Sequence, residues 1–151
     1  MATIEVKKLF NNMKEHRRQL HSKLASKAAR QQQHRSKNLL TYLAEHEQRN
    51  QAALEQIIDD VQPSIERHWV NYYPRDQEHD LNLLLAEDWE DFDDVIENTI
   101  AAKESMAHIY QYCAEGFGHP DMKDAFQRMK EREESQLKNL GRRLNEIDQG
   151  Y

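Results

Sequence analysis

Cysteine, proline and glycine are scarce in this chain, at one, three and four residues among 151. The lone Cys113 allows no internal disulfide and no zinc cluster of thiolates. So few breakers argue against short strands and tight turns and leave room for long, uninterrupted helices. Long apolar runs are missing as well. None nears the roughly 20 residues of a membrane-crossing helix, and the opening MATIEVKK has no signal-peptide core. The expected setting is the reducing cytoplasm, with no membrane span. There is no Gly-x-Gly-x-x-Gly, phosphate loop, nucleophile elbow or His-Glu-x-x-His run, and the eight histidines are scattered.

What the chain has in abundance is charge, 32% of its residues, as amphipathic helices with wide solvated faces require. Its length suits a single domain, residues 1–151, able to bury a real core. The net charge of −6 hides an asymmetry: residues 1–43 carry +8 and the rest −14, with ten acids and no Lys or Arg in Asp76–Glu97. A basic helix can bind nucleic acid or an anionic membrane. No aromatic residue stands between Phe10 and Tyr42 to stack on bases, so nucleic acid is not the expected partner. The basic first helix is instead expected beside the acidic segment, within one chain or across a homodimer.

The spacing of apolar residues predicts four helices, at about 3–33, 36–61, 88–115 and 120–148, with a crossover at about 62–87. The first shows the stripe Val6, Phe10, Met13, Leu20, Leu24, with Arg17 as its odd member. Ser36 reads as the cap of the second and Pro63 as its stop. In the crossover, Ser64–Val70 could form a short helix and Asp80 could cap a turn through Leu81–Leu85. The cluster Trp69, Tyr72, Tyr73 is expected to pin this segment to the bundle. The third helix, from near Asp88, carries Val95, Thr99, Ala102, Met106, Ile109 and Cys113. On that stripe Cys113 reads as a small buried apolar residue, and its neighbours Tyr110 and Tyr112 as packing. Gly116-Phe117-Gly118-His119-Pro120 ends the third helix and starts the fourth. Short links make two antiparallel hairpins, and the crossover is long enough to run the length of a helix of roughly 36 Å. The fold class is therefore all-α, a four-helix bundle of two hairpins joined by a long crossover, the ferritin-like plan.

Two stripes are interrupted by polar residues in the same way. Glu47 and Asn50 lie between Leu43 and Leu54, and Glu133 and Gln136 lie between Met129 and Leu140. Residues three apart share a helix face, here one meant for the core. Adding 86 carries Glu47, Asn50 and Leu54 onto Glu133, Gln136 and Leu140. Adding 89 carries the first stripe onto the third. The hairpins read as two copies of one unit.

These features resemble the rubrerythrin-type members of the ferritin-like superfamily, over nearly all of residues 10–147. The carriers are LHSKLASKA and IYQYCAEG, and LAEHEQRNQAAL and MKEREESQLKNL. The resemblance implies a di-iron site in which the first helix of each hairpin gives a Glu and the second gives Glu-x-x-His. Glu47 and Glu133 match that second-helix Glu, but Asn50 and Gln136 stand where the family has His. Aligning the two Leu-Ala-like stretches puts Lys14 and Lys103 at the other carboxylate positions. This implies a degenerate site with no metal or cofactor, where Lys14, Lys103, Glu47, Glu133, Asn50 and Gln136 form a polar core. A one-residue shift would instead gather Glu15, Glu47, Glu104 and Glu133, a set able to hold di-iron or di-manganese, with His46 or His108 helping. The expected function is a non-enzymatic scaffold that dimerises or binds a protein partner. The alternative is a di-metal carboxylate oxidase, peroxidase or metal-binding protein.

Overall fold

The four long helices pair off as they follow one another along the chain, and a strand and a short helix lie between the pairs. In the computed structural model, which describes residues 2–65, 69–116 and 119–148, the order is β1 (Ala2–Glu5), α1 (Val6–Arg30), α2 (His34–Ile65), β2 (Trp69–Tyr73), α3 (Arg75–Ala86), α4 (Phe92–Gly116) and α5 (Pro120–Asp148). Helices α1 and α2 form one hairpin and α4 and α5 the other, with β2 and α3 in the crossover. The all-α, two-hairpin plan is the one expected. Among the described residues no helix is long and apolar enough to cross a membrane.

The crossover differs most from expectation. Thr3–Glu5 is not helix but strand. It pairs antiparallel with β2 through Ala2–Tyr73, Ile4–Val70 and Glu5–Trp69, with an irregularity between Ala2 and Ile4. The β-branched and aromatic content of TIEV and WVNYY favours this pairing, but the partners are some 65 residues apart and neither strand is stable alone. The short helix expected over Ser64–Val70 is not formed: α2 takes the chain to Ile65, residues 66–68 lie outside the described residues, and Trp69 opens β2. Pro63 does not stop α2 at residue 61. It falls in the last turn, where the lost backbone donor costs a single bond before the helix ends. Ile4, Val70 and Tyr73 are buried by the pairing, whereas Trp69 is 58% exposed, so only part of the aromatic cluster pins the crossover.

Other ends shift for local reasons. Ser36 lies inside α2, because the backbone carbonyl of Gln33 already accepts from Lys37 at 2.9 Å. α3 starts at Arg75, a turn before Asp80, with Asp76 and Glu78 favourably placed at its positive end. It buries Leu81 and Leu85. α4 starts at Phe92 rather than near Asp88, since Asp91 Oδ1 caps it by accepting from Asp94 N at 2.8 Å. Trp89 pins the preceding loop, 1% exposed, with Nε1 donating to the Leu84 carbonyl at 3.1 Å. Pro120 opens α5 as expected; Phe117 and Gly118 of the intervening motif lie outside the described residues.

The basic face of α1 meets the acidic segment inside one chain. Lys27 Nζ is 4.0 Å from Asp88, Lys23 Nζ donates to the Glu87 carbonyl, and Asn12 Nδ2 donates to Glu78 at 3.2 Å. The core is continuous from Val6 and Leu9 through Leu40, Ile58, Leu81 and Trp89 to Phe126 and Leu140. Two glycines offer a direct check. A Cβ at Gly116 would lie 2.2 Å from the Asn71 carbonyl oxygen, whereas Gly141, exposed in α5, has no heavy atom within 4 Å of such a carbon. Thermal melts should show Gly141→Ala stabilising by up to about 1 kcal/mol. Gly116→Ala should destabilise by about 1–3 kcal/mol, because backbone must move.

Candidate functional site

The same arithmetic builds three of the four core stripes. In α1 it is Phe10, Met13, Arg17, Leu20, Leu24; in α2 Leu40, Leu43, Glu47, Asn50, Leu54; in α5 Phe126, Met129, Glu133, Gln136, Leu140. The third place in each is charged. Alternating steps of three and four keep every member on one face, so Arg17, Glu47 and Glu133 all turn inward at the bundle's middle. α4 adds Lys103, next to the small buried Ala102. All four charged residues are 0–3% exposed.

They meet. Arg17 Nη1 donates to Glu47 Oε2 at 2.9 Å, and Arg17 Nη2 contacts Glu133 Oε1. Lys103 Nζ contacts Glu47 Oε1 and lies 3.0 Å from Glu133 Oε2. Each cation thus touches both carboxylates, and the cluster is formally neutral. The Glu133 contacts are ionic rather than aligned hydrogen bonds. Tyr110 closes one end, its hydroxyl accepting from Arg17 Nη2 at 3.3 Å.

Asn50 and Gln136 close the other end as an amide pair. Asn50 Nδ2 donates to Gln136 Oε1 at 2.7 Å and to Glu47 Oε1 at 3.1 Å, and Gln136 Nε2 donates back to Asn50 Oδ1 at 2.6 Å. Lys103 Nζ also donates to Gln136 Oε1 at 2.9 Å. Arg132 reaches in from the rim, its Nε donating to Asn50 Oδ1 at 2.7 Å. A cavity of about 10 Å³, bordered by Thr99, Lys103, Glu47 and Gln136, adjoins the network. It is about the size of one water.

The titration of the cluster follows from these contacts. Burial by itself raises the Glu47 carboxyl, but Arg17 and Lys103 more than offset this and hold it at about 2. Burial draws Lys103 down to about 8 against the pull of Glu47, which keeps the ammonium at neutral pH.

Five of the six residues expected in the polar core are therefore brought together: Glu47, Asn50, Lys103, Glu133 and Gln136. Lys14 is not. It lies about 100° round α1 from Met13 and is partly exposed, and Arg17, one turn on, takes the interior place. Side chains on a helix lean toward its N-terminus, so the long guanidinium of Arg17 covers the spot that position 14 would serve. Arg17 was legible as the charged member of an apolar stripe. The one-residue shift also fails: Glu15 is 46% exposed and bound to Arg18 on the surface, and Glu104 is exposed.

Other titratable groups lie away from this cluster. His16 is buried against Asn82, with Nε2 to Oδ1 3.0 Å, and burial lowers its pKa to about 4. His108 contacts Gln77 on the surface. Cys113 is fully buried and burial pushes its thiol up, so a thiolate nucleophile is disfavoured. Tyr110 serves the network rather than merely packing, and Tyr112 is 37% exposed. Among the described residues no three of His, Cys, Asp and Glu are gathered as a metal would need.

Comparison with known proteins adds one match. The family model described as Rubrerythrin matches residues 14–140, a span that holds most of both hairpins and the whole charged cluster. No curated protein and no solved structure matches the chain.

Removing one member of the cluster strands a buried charge. Arg17→Met and Lys103→Met should each cost about 3–5 kcal/mol in denaturant unfolding, while replacing all four charges by apolar residues of similar volume should recover most of that loss. The pH dependence has a defined sign. Glu47 is lowered from 4.5 to about 2, so its contribution is present above pH 4.5 and is lost as the pH falls through 4.5 toward 2. Glu47→Gln should flatten the stability profile in that window.

Proposed function

This chain belongs to the rubrerythrin family of the ferritin-like superfamily, and we propose that it is a metal-free, non-catalytic member whose bundle serves as a scaffold. The observation that carries this reading is that Arg17 and Lys103 each touch both Glu47 and Glu133. A di-metal centre, which the family resemblance implies, needs carboxylates free to bind cations and imidazoles to complete the coordination. The donor set here does not fit it. Two carboxylates face two protein cations, and amides stand at the places of the histidines. The charge that metals would supply comes from a guanidinium and an ammonium, so the centre is balanced without an ion.

We infer further that the protein acts by association, with a second copy of the chain as the partner. The intrachain contacts of Lys23 and Lys27 engage part of the basic face of α1, which leaves apolar side chains as the better means of docking. Among the described residues, Trp69 and Leu83 are the most exposed large apolar side chains, at 58% and 53%, followed by Tyr112 at 37%.

Elemental analysis of the purified protein, before and after incubation with Fe(II) or Mn(II), tests the first proposal. Substoichiometric metal is the expected result, and about two ions per chain or per dimer site, the di-metal stoichiometry, would overturn it. A variant that replaces Arg17 by Leu, Lys103 by Glu, and Asn50 and Gln136 by His should gain Co(II) binding, visible as d–d absorption. Sedimentation velocity tests the second: a dimer of the 18.0 kDa chain is expected, weakened by Trp69→Ser, and a monomer throughout would exclude it.

A further inference from the structure

The two hairpins leave an open groove of about 490 Å³ between α2 and α5, on the outer side of the buried network. Its walls carry an excess of positive charge. Arg49 comes from α2 and Arg128 and Arg132 from α5, against a single lining carboxylate, Glu131. The lining is thus net positive by two in a protein of net charge −6. On α5 these residues continue through Asn139 at steps of three and four, so one face of that helix supplies the donors.

Two features distinguish the groove from a scatter of surface arginines. Arg132 is tethered, its Nε bound to Asn50 at 2.7 Å, so it is held at the groove by the same amide pair that closes the buried cluster. The field at the wall is positive as well: burial, then Arg49, Lys103, Arg143 and Arg132, together lower the pKa of His46. The acids near the other two arginines are weak competitors. Arg49 is 3.9 Å from Glu45 and Arg128 3.1 Å from Asp124, and both pairs are more than half exposed. Exposed pairs of that kind contribute at most about 1 kcal/mol, so an anion that receives charge-assisted bonds from several guanidiniums can displace them.

We propose that this groove binds a phosphate monoester, with the phosphate between Arg49, Arg128 and Arg132. A phosphate dianion matches the excess of two charges and takes donors from both facing helices, whereas a flat carboxylate offers two oxygens in one plane. The groove exceeds a phosphate in size and falls within the usual range of small-molecule sites. Past Asn139, which borders both, lies a second hollow of about 330 Å³ lined also by Tyr42, Arg142, Arg143 and Glu146, where the Arg143 guanidinium lies 3.6 Å from the centre of the Tyr42 ring. That end suits the organic part of the ester. The inference is independent of whether the buried centre binds metal.

Isothermal titration of the full-length chain with phenyl phosphate, inorganic phosphate and benzoate tests it. Phenyl phosphate should bind saturably at one site, inorganic phosphate more weakly, and benzoate not measurably. The exposed pair Arg49→Gln and Arg128→Gln, with folding checked by circular dichroism, should weaken phenyl phosphate at least about tenfold, in keeping with the loss of two charge-assisted contacts. Lys7→Gln and Lys37→Gln together, an equal loss of charge away from the groove, should leave it unchanged. The His46 ring protons should titrate at higher pH when phenyl phosphate is present. No saturable binding, binding unaffected by the arginine pair, or an equal loss in the lysine control would overturn the site. Benzoate binding as tightly would overturn the phosphate assignment, and inorganic phosphate binding as tightly would overturn the ester.

Discussion

Two carboxylates at the centre of an apolar bundle impose a condition that everything around them must meet. A buried ionised carboxylate costs several kcal/mol unless cations and hydrogen-bond donors surround it. Glu47 and Glu133 come from different hairpins, so whatever satisfies one must also reach the other. Arg17 and Lys103, one from each hairpin, do this as bridges rather than as separate pairs. The association of the two hairpins is thereby tied to charge neutrality at their interface. α2 and α5 pack loosely beside this point, and the reciprocal amide pair of Asn50 and Gln136 is the main polar link between them.

The same contact explains why the centre and the outer groove are one system. Asn50 gives its amide hydrogens to Glu47 and Gln136 and its oxygen to Gln136 and Arg132. Through that one side chain the neutral interior fixes a cation at the surface. An ion pair alone would be a poor source of stability, since an apolar quartet of like volume can do as well. What the quartet adds is specificity: sliding or rotating either hairpin would strand a charge. That role suits the proposed scaffold, in which Arg17 and Lys103 answer the two carboxylates.

How far the sequence reached can be judged at particular residues. The helical stripes were legible because burial of one face repeats every three or four residues, and such a pattern survives any ignorance of what lies opposite. Glu47, Asn50, Glu133 and Gln136 were legible for the same reason, as polar residues on apolar stripes that recur after 86 residues. Lys14 was misplaced and Arg17 passed over because an alignment by family position counts Cα places. A long side chain acts roughly one turn away from its own Cα. The ribbon of β1 and β2 was not legible, since each strand is too short to stand alone and their pairing joins distant parts of the chain.

By itself, then, the sequence determined the class of fold, the pairing of helices into hairpins and the presence of polar residues in the core. These depend on local periodicity and on link lengths, which neighbouring residues carry. Only the tertiary structure decided which cation answers which carboxylate, that α1 meets the acidic segment within its own chain, and that three arginines from two helices line one groove. Those are juxtapositions between separate elements, set by the rotation and offset of whole helices, and no single stretch of the chain encodes them.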